Sequence, residues 1–280
     1  LIKLDKTLEI PLDVIVESPP NKNSINMKDG LLTFQGIVDI ALTVVMTVAH
    51  EKVPKQKTYK DDVRADMLDN FTGSYGLNFK LIADKEADKT LSQLGEKVVI
   101  ELIEYFLAEA LDQNSLNLSK QADEVIKKLD KVGVELIAEI KGRMMRNAHQ
   151  MLVNYGYDTK LRYSKSPKSK KDIQTFNETT FETLSAKVNP TPRVIEVAIT
   201  RFNNLTGNGR LQLKGEVDTH AFGFNAYKGV ASITKSLVSK NLSSNTAIVD
   251  PKKMHFLKLS VKAHERSDGK VIKYMVQKII

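Results

Sequence analysis

Cysteine is absent from all 280 residues. Disulfides, thiolate nucleophiles and sulfur-ligated zinc are therefore excluded, and a reducing compartment such as the cytoplasm is the expected setting. The loops that cradle nucleotide phosphates are missing as well, since neither GxxxxGK[ST] nor GxGxxG occurs. The five histidines, His50, His149, His220, His255 and His264, show no HExxH or HxH spacing. Asp218 and His220 make at best a pair on one strand face. No serine sits in a GxSxG elbow, because Ser74 lies in Thr72-Gly73-Ser74-Tyr75-Gly76, which reads as a turn. Long hydrophobic runs are lacking too. The longest, Phe34 to Ala49, contains Asp39 and falls short of the roughly 20 residues of a membrane crossing. A core element is expected there, and no membrane partner. No motif calls for a cofactor or a metal, so binding rather than catalysis is the expected role.

What the chain does have is an uneven division of charge. Leu1 to Leu118 carries 13 Lys+Arg against 19 Asp+Glu, Ser119 to Asp158 carries 7 against 6, and Thr159 to Ile280 carries 22 against 9. A basic half joined to an acidic half points to nucleic acid, or an acidic protein surface, as partner of the basic half. Complementary halves also permit head-to-tail association into a homo-oligomer.

Hydrophobic periodicity predicts an α+β protein in three parts. Residues 1–118 read as an acidic α/β domain. It has an extended piece over Ile2 to Val16 closed by Pro19-Pro20-Asn21, a buried helix over Phe34 to His50, a strand pair over Val63 to Ala83 and a helix over Leu91 to Leu111. Residues 119–158 read as a long helical connector. Ser119 caps it, and Ala122, Val125, Ile126, Leu129, Val132, Leu136, Ile137, Ile140, Met144, Ala148, Met151, Leu152 and Tyr155 continue an apolar stripe, unbroken or interrupted near Gly133 or Gly142. Such a stripe is either buried against its own chain or free to recruit a partner helix, which would make the protein a scaffold. Residues 159–280 read as a basic β-rich domain, a small barrel or sandwich entered through a mobile basic loop at 160–171. Its strands are expected over Val194 to Phe202, Arg210 to Val217, Ala221 to Tyr227, Met254 to Ala263 and Lys270 to Ile279, with a helix at Ser232 to Val238.

The candidate nucleic-acid-binding residues follow from that basic domain: Lys160, Arg162, Lys165, Lys168, Lys170 and Lys171 in the loop, and Arg201, Arg210, Lys214, Lys258 and Lys262 on the strands. Lys258 and Lys262, four apart, share one side of a strand. Phe202, Phe222, Phe224 and Tyr227 are candidates for base stacking. Gly207-Asn208-Gly209-Arg210 reads as a hairpin turn that can also offer N–H groups and a guanidinium to a phosphate. Glu139 and Lys141, with Asp123 and Asp130, superficially match the acidic-plus-lysine set of a metal-dependent nuclease. Along one helix, however, they do not converge as a metal site requires.

The Gly73-Ser74-Tyr75 turn between two apolar helices, with a C-terminal β unit opening on Thr206-Gly207-Asn208-Gly209-Arg210 and closing on Asp268-Gly269-Lys270-Val271, is similar in layout to poorly characterised bacterial two-domain proteins associated with mobile elements and antiphage defence. The resemblance implies a bacterial or phage cytoplasm, where the expected role of the basic domain is that of a nucleic-acid-binding subunit of a larger assembly. It implies no catalytic residue.

Overall fold

Two sheets organise the chain. The computed structural model describes residues 8–19, 24–58, 60–70, 75–113, 118–166, 169–204, 206–224, 227–248, 250, 253–266 and 268–280. The backbone separates into two compact units, one of Leu1–Leu111 with Ser115–Phe181, the other of Asp112–Asn114 with Glu182–Ile280. The turns expected at Pro20-Asn21 and Gly73-Ser74, and Lys168 with its neighbour Pro167, lie outside the described residues.

The first unit runs β1 (Glu9–Val16), α1 (Met27–His50), β2 (Val63–Asn70), β3 (Tyr75–Ala83), α2 (Lys85–Leu94), α3 (Glu96–Ala110), α4 (Lys120–Ile140), α5 (Arg143–Ala148), α6 (Gln150–Tyr155), β4 (Thr159–Ser166) and β5 (Ser169–Phe176), and the division falls within α7 (Glu178–Ser185). Its strands pair antiparallel in the order β2-β3-β1-β4-β5. Alternation decides the faces: Ile10, Leu12, Val14 and Val16 of β1 are buried with Phe79, Leu81 and Leu161 from the neighbouring strands.

Helix α1 starts earlier than its apolar run, because the Asn26 side chain accepts from Asp29 N at 3.1 Å and caps the first turn. By length and hydropathy this helix could cross a membrane, yet Ile37, Ile40, Ala41, Val44 and Val45 are buried inside the unit. Its buried threonines suit a helix because Thr43 and Thr47 donate to the carbonyls of Asp39 and Thr43, each at 2.6 Å. Gly36 lets α5 approach the helix backbone: a Cβ there would stand 2.5 Å from Ala148 N and 2.7 Å from Met144 O.

Three expectations are corrected in this unit. The 119–158 segment is no connector, since α4 to α6 pack within the first unit and the stripe residues Ala122, Ile126, Leu129, Leu136, Ile140, Met144, Ala148 and Met151 are all buried. Val125, Val132 and Leu152 of the same stripe are half-buried, and Tyr155 is exposed at its end. The helix breaks at Gly142, one of the two glycines anticipated, and also bends at Asp130 (φ 41°). Residues 160–166 and 169–171 are not a basic loop but belong to the antiparallel strands β4 and β5, with β4 also paired to β1. Lysine and arginine hide the strand alternation there because Lys160, Arg162 and Lys170 stand on the polar face of the sheet and Lys171 on the other. The single helix expected over Leu91 to Leu111 is two, α2 and α3, parted by Gly95 with φ 78°.

The second unit contains β6 (Lys187–Val188), β7 (Arg193–Phe202), β8 (Gly209–Leu213), β9 (Thr219–Phe224), α8 (Ser232–Asn245), β10 (Leu257–Glu265) and β11 (Val271–Ile279). Five of these strands close on themselves in the order β7-β8-β9-β11-β10-β7, a barrel rather than a sandwich, with β6 added to β10 outside the ring. Every pairing in the ring is antiparallel except β9 with β11. The interior holds Val197, Ile199, Leu211, Phe222, Phe224, Leu259, Val261, Ala263, Tyr274 and Val276, and Val238 of α8 packs against it.

This division redistributes the charge. The first unit contains 26 Lys+Arg and 26 Asp+Glu, and the second contains 16 and 8. The chain's whole net charge of +8 therefore belongs to the barrel unit. The acidic half expected from the linear count is neutralised once β4 and β5 join its sheet.

Candidate functional site

Because β-strands alternate, burial of Tyr274 and Val276 turns Lys273 outward, and burial of Leu211 does the same for Arg210. Cross-strand register then sets Arg201 opposite Arg210, Arg210 opposite Ala221, Ala221 beside Lys273, and Lys273 opposite His264. A row of three cations and one histidine thus runs across the outer face of the barrel, with small Ala221 at its centre. The β7 bulge between Ile199 and Arg201 brings Arg201 into this row while Phe202 returns to the interior.

The row has an anchored geometry. Arg210 donates through Nη2 to Thr219 O at 2.7 Å and through Nη1 to the carbonyl of Asp112 at 3.1 Å. Burial pushes the Arg210 guanidinium below its usual pKa, Arg201 lowers it further, and Asp112 opposes both. Lys273 is 7% exposed, and its Nζ donates to Asp112 Oδ1 at 2.7 Å and Asn208 Oδ1 at 3.1 Å. Gly223 makes room for this lysine, since a Cβ there would lie 2.6 Å from Asn208 Oδ1 and 3.1 Å from Lys273 Cε.

Of the residues expected from the sequence, only Arg201 and Arg210 meet in this row. Lys258 and Lys262 do face outward together on β10, but Lys258 and Lys214 both pair with Glu196, at 3.5 and 2.5 Å. Lys160, Arg162, Lys165, Lys170 and Lys171 belong to the first unit. There Lys160 pairs with Glu17 at 2.5 Å, Arg162 and Lys170 with Asp13 at 2.5 and 3.0 Å, and Lys171 with Glu104 at 2.7 Å, while Lys165 is exposed near the end of β4. Lys160, Arg162, Lys170 and Lys171 thus make ion pairs within the first unit. Lys273 was missed: inward Tyr274 and Val276 predict its direction, but its parallel pairing with β9 leaves no mark in the sequence.

The aromatic candidates are corrected likewise. Phe222 and Phe224 are buried, Phe202 and Tyr227 pack on them, and Tyr227 is further covered by Lys235 Nζ at 4.3 Å from its ring centroid. The barrel row therefore offers cations and amides, not stacking rings. His220 pairs with Glu216 at 2.9 Å rather than with Asp218. His149 is enclosed in the first unit, with Nδ1 2.8 Å from Met145 O and Nε2 2.8 Å from Thr180 Oγ1, and burial pushes its pKa down. Asp123 pairs with Lys127 at 2.5 Å on α4, and among the described residues no three or more His, Asp or Glu side chains group as a metal site would need.

A cavity of about 560 Å³ in the second unit is lined by Glu182, Asn189, Glu265 and Arg266 among others. Its charges answer one another, Arg266 pairing with Glu182, and Glu265 accepting from Arg193 and Asn189. Comparison with models of known families, with curated proteins and with solved structures finds no match.

Proposed function

We propose that this protein binds nucleic acid without catalysis, through the outer face of the barrel at β8, β9 and β11. The observation that carries the reading is the row of Arg201, Arg210 and Lys273, aligned by register on the one unit that holds the chain's net positive charge. Cations spaced along a groove or face track a phosphate backbone, and releasing its counterions supplies the free energy.

Topology supports the reading by analogy. A closed ring of strands in the order first, second, third, fifth, fourth, with a helix between the third and fourth, is the plan of the oligonucleotide- and oligosaccharide-binding barrel. Such barrels bind their ligands on the face of the second and third strands, which here are β8 and β9. The absence of exposed rings along the described row favours backbone contact over base stacking. In the bacterial or phage setting that the sequence resemblance implies, this is the role of a nucleic-acid-binding subunit, for example of an antiphage-defence assembly.

The test is fluorescence anisotropy with a labelled single-stranded DNA of about 20 nucleotides, a length that spans a barrel of this kind. Binding should weaken steeply with salt, with a log–log slope on the order of −2 if three phosphates are neutralised. Arg201→Ala should flatten that slope by about 0.7, whereas Lys160→Ala should leave it unchanged. Salt-insensitive binding, or none at low salt, would overturn the proposal.

A further inference from the structure

Asp112 lies in sequence just after α3, yet it belongs to the barrel unit. It occupies the centre of the cation row. Its carboxylate takes Lys273, its carbonyl takes Arg210, and the Lys273 and Asp112 side chains are only 9% and 12% exposed. Asn208 completes the set as a neutral partner of Lys273. Lys273 thus holds the Asp112 carboxylate and Arg210 its backbone carbonyl, while Asn208 Oδ1 accepts from the same lysine and orients it; a phosphodiester would present acceptor oxygens to the same two charged donors.

The seat is shaped for these groups: Gly223 has no side chain where one would press on Lys273 and Asn208. Asp112 is delivered to it by the end of α3, in the left-handed backbone (φ 51°) common just past a helix C-cap.

We infer that Lys273 and Arg210 form a phosphate-binding centre on the barrel, with Asn208 positioning the lysine, and that Asp112 is its internal occupant, displaced when a nucleic-acid strand binds. The inference rests on the nucleic-acid reading above and adds to it a central residue, Lys273, and a built-in competitor. Binding is then an exchange: the ion pair of Lys273 with Asp112 breaks, a pair of Lys273 with phosphate forms, and the Asp112 carboxylate passes to water.

The experiment uses the full chain and the same labelled single-stranded DNA. Asp112→Asn removes the competing charge and keeps the shape, and it should tighten binding on the order of tenfold at low salt. In a Lys273→Met background the same change should give no gain. Carbodiimide labelling of carboxyl groups, read by mass spectrometry on the unaltered protein, needs no variant to fold. Asp112 should be slow to react in the free protein and faster once DNA is bound.

Unaltered binding by Asp112→Asn, or Asp112 labelling that stays constant or falls on adding DNA, overturns the inference while leaving the nucleic-acid reading intact. Absence of DNA binding by every form at low salt overturns that reading and the inference with it. Binding by Asp112→Asn alone supports both.

Discussion

Asp13 is fully buried on β1, although it stands on the polar side of the sheet, and among the described residues Arg162 and Lys170 of the hairpin strands β4 and β5 pair with it. Replacing it by asparagine preserves volume but leaves two cations facing a neutral amide. Breaking a buried ion pair from one side costs about 3–5 kcal/mol. Here Arg162 and Lys170 keep 18% and 28% of their side-chain surface, so water can recover part of the loss. A value near the lower end, about 3 kcal/mol, is expected. For a unit of this size that corresponds to a fall in melting temperature of roughly 6–12 °C.

Differential scanning calorimetry of the full chain should show the first unit's transition moving down by that amount, with the barrel transition in place. The pair of Lys160 with Glu17, 27% and 44% exposed, is the control. Lys160→Met should change stability by less than about 0.5 kcal/mol. If Asp13→Asn melts within a degree or two of the unaltered protein, the charge network does not hold β1 to β4, and these cations become available for another role.

Two further outcomes follow from the first unit. Gly36→Ala drives a Cβ into the backbone of α5, which cannot yield as a flexible side chain would, so a destabilisation of more than about 3 kcal/mol is expected in urea unfolding. His149 must stay neutral in its enclosure, and its folded pKa lies below the ordinary 6.5. The unfolded chain therefore takes up a proton first as the pH falls below 6.5. Stability should decline by at most about 1.4 kcal/mol per pH unit until the folded pKa is reached, and His149→Gln should abolish that slope in melts from pH 7.5 to 5.

The strongly patterned pieces of the fold could be read in the sequence: the buried helix around Val44 and Val45, the strand pair at 63–83, and the strands and helix of the barrel. Misreading concentrated where charge masks alternation. In β4 and β5, Lys160, Arg162 and Lys170 occupy the polar side of the sheet while Lys171 stands beside Tyr163 on the other side and reaches Glu104 of α3, so Leu161, Tyr163, Ile173 and Phe176 alone mark the apolar face weakly. Those residues become strands through pairing with β1, a contact that no local window contains. The helical stripe of 119–158 was visible, but the surface that covers it was not, because periodicity shows that a face is apolar without naming its partner. At the candidate site, Arg201 and Arg210 were legible as outward cations. Lys273 and Asp112 depend on the closure of the ring and on a residue brought in from the connection after α3.

The pairing of β1 with β4 also governs the order in which the protein can be made. Asp13 and Arg162 are 149 positions apart, so a nascent chain carries β1 with one bare edge while every helix from α1 to α6 is synthesised. Unpaired edges of that kind invite wrong partners, and sheets closed over such distances form slowly. Pieces of this protein that stop before Thr159 lack β4 and the counterions of Asp13, so they should aggregate. Proper completion of the N-terminal sheet must await translation through Phe176.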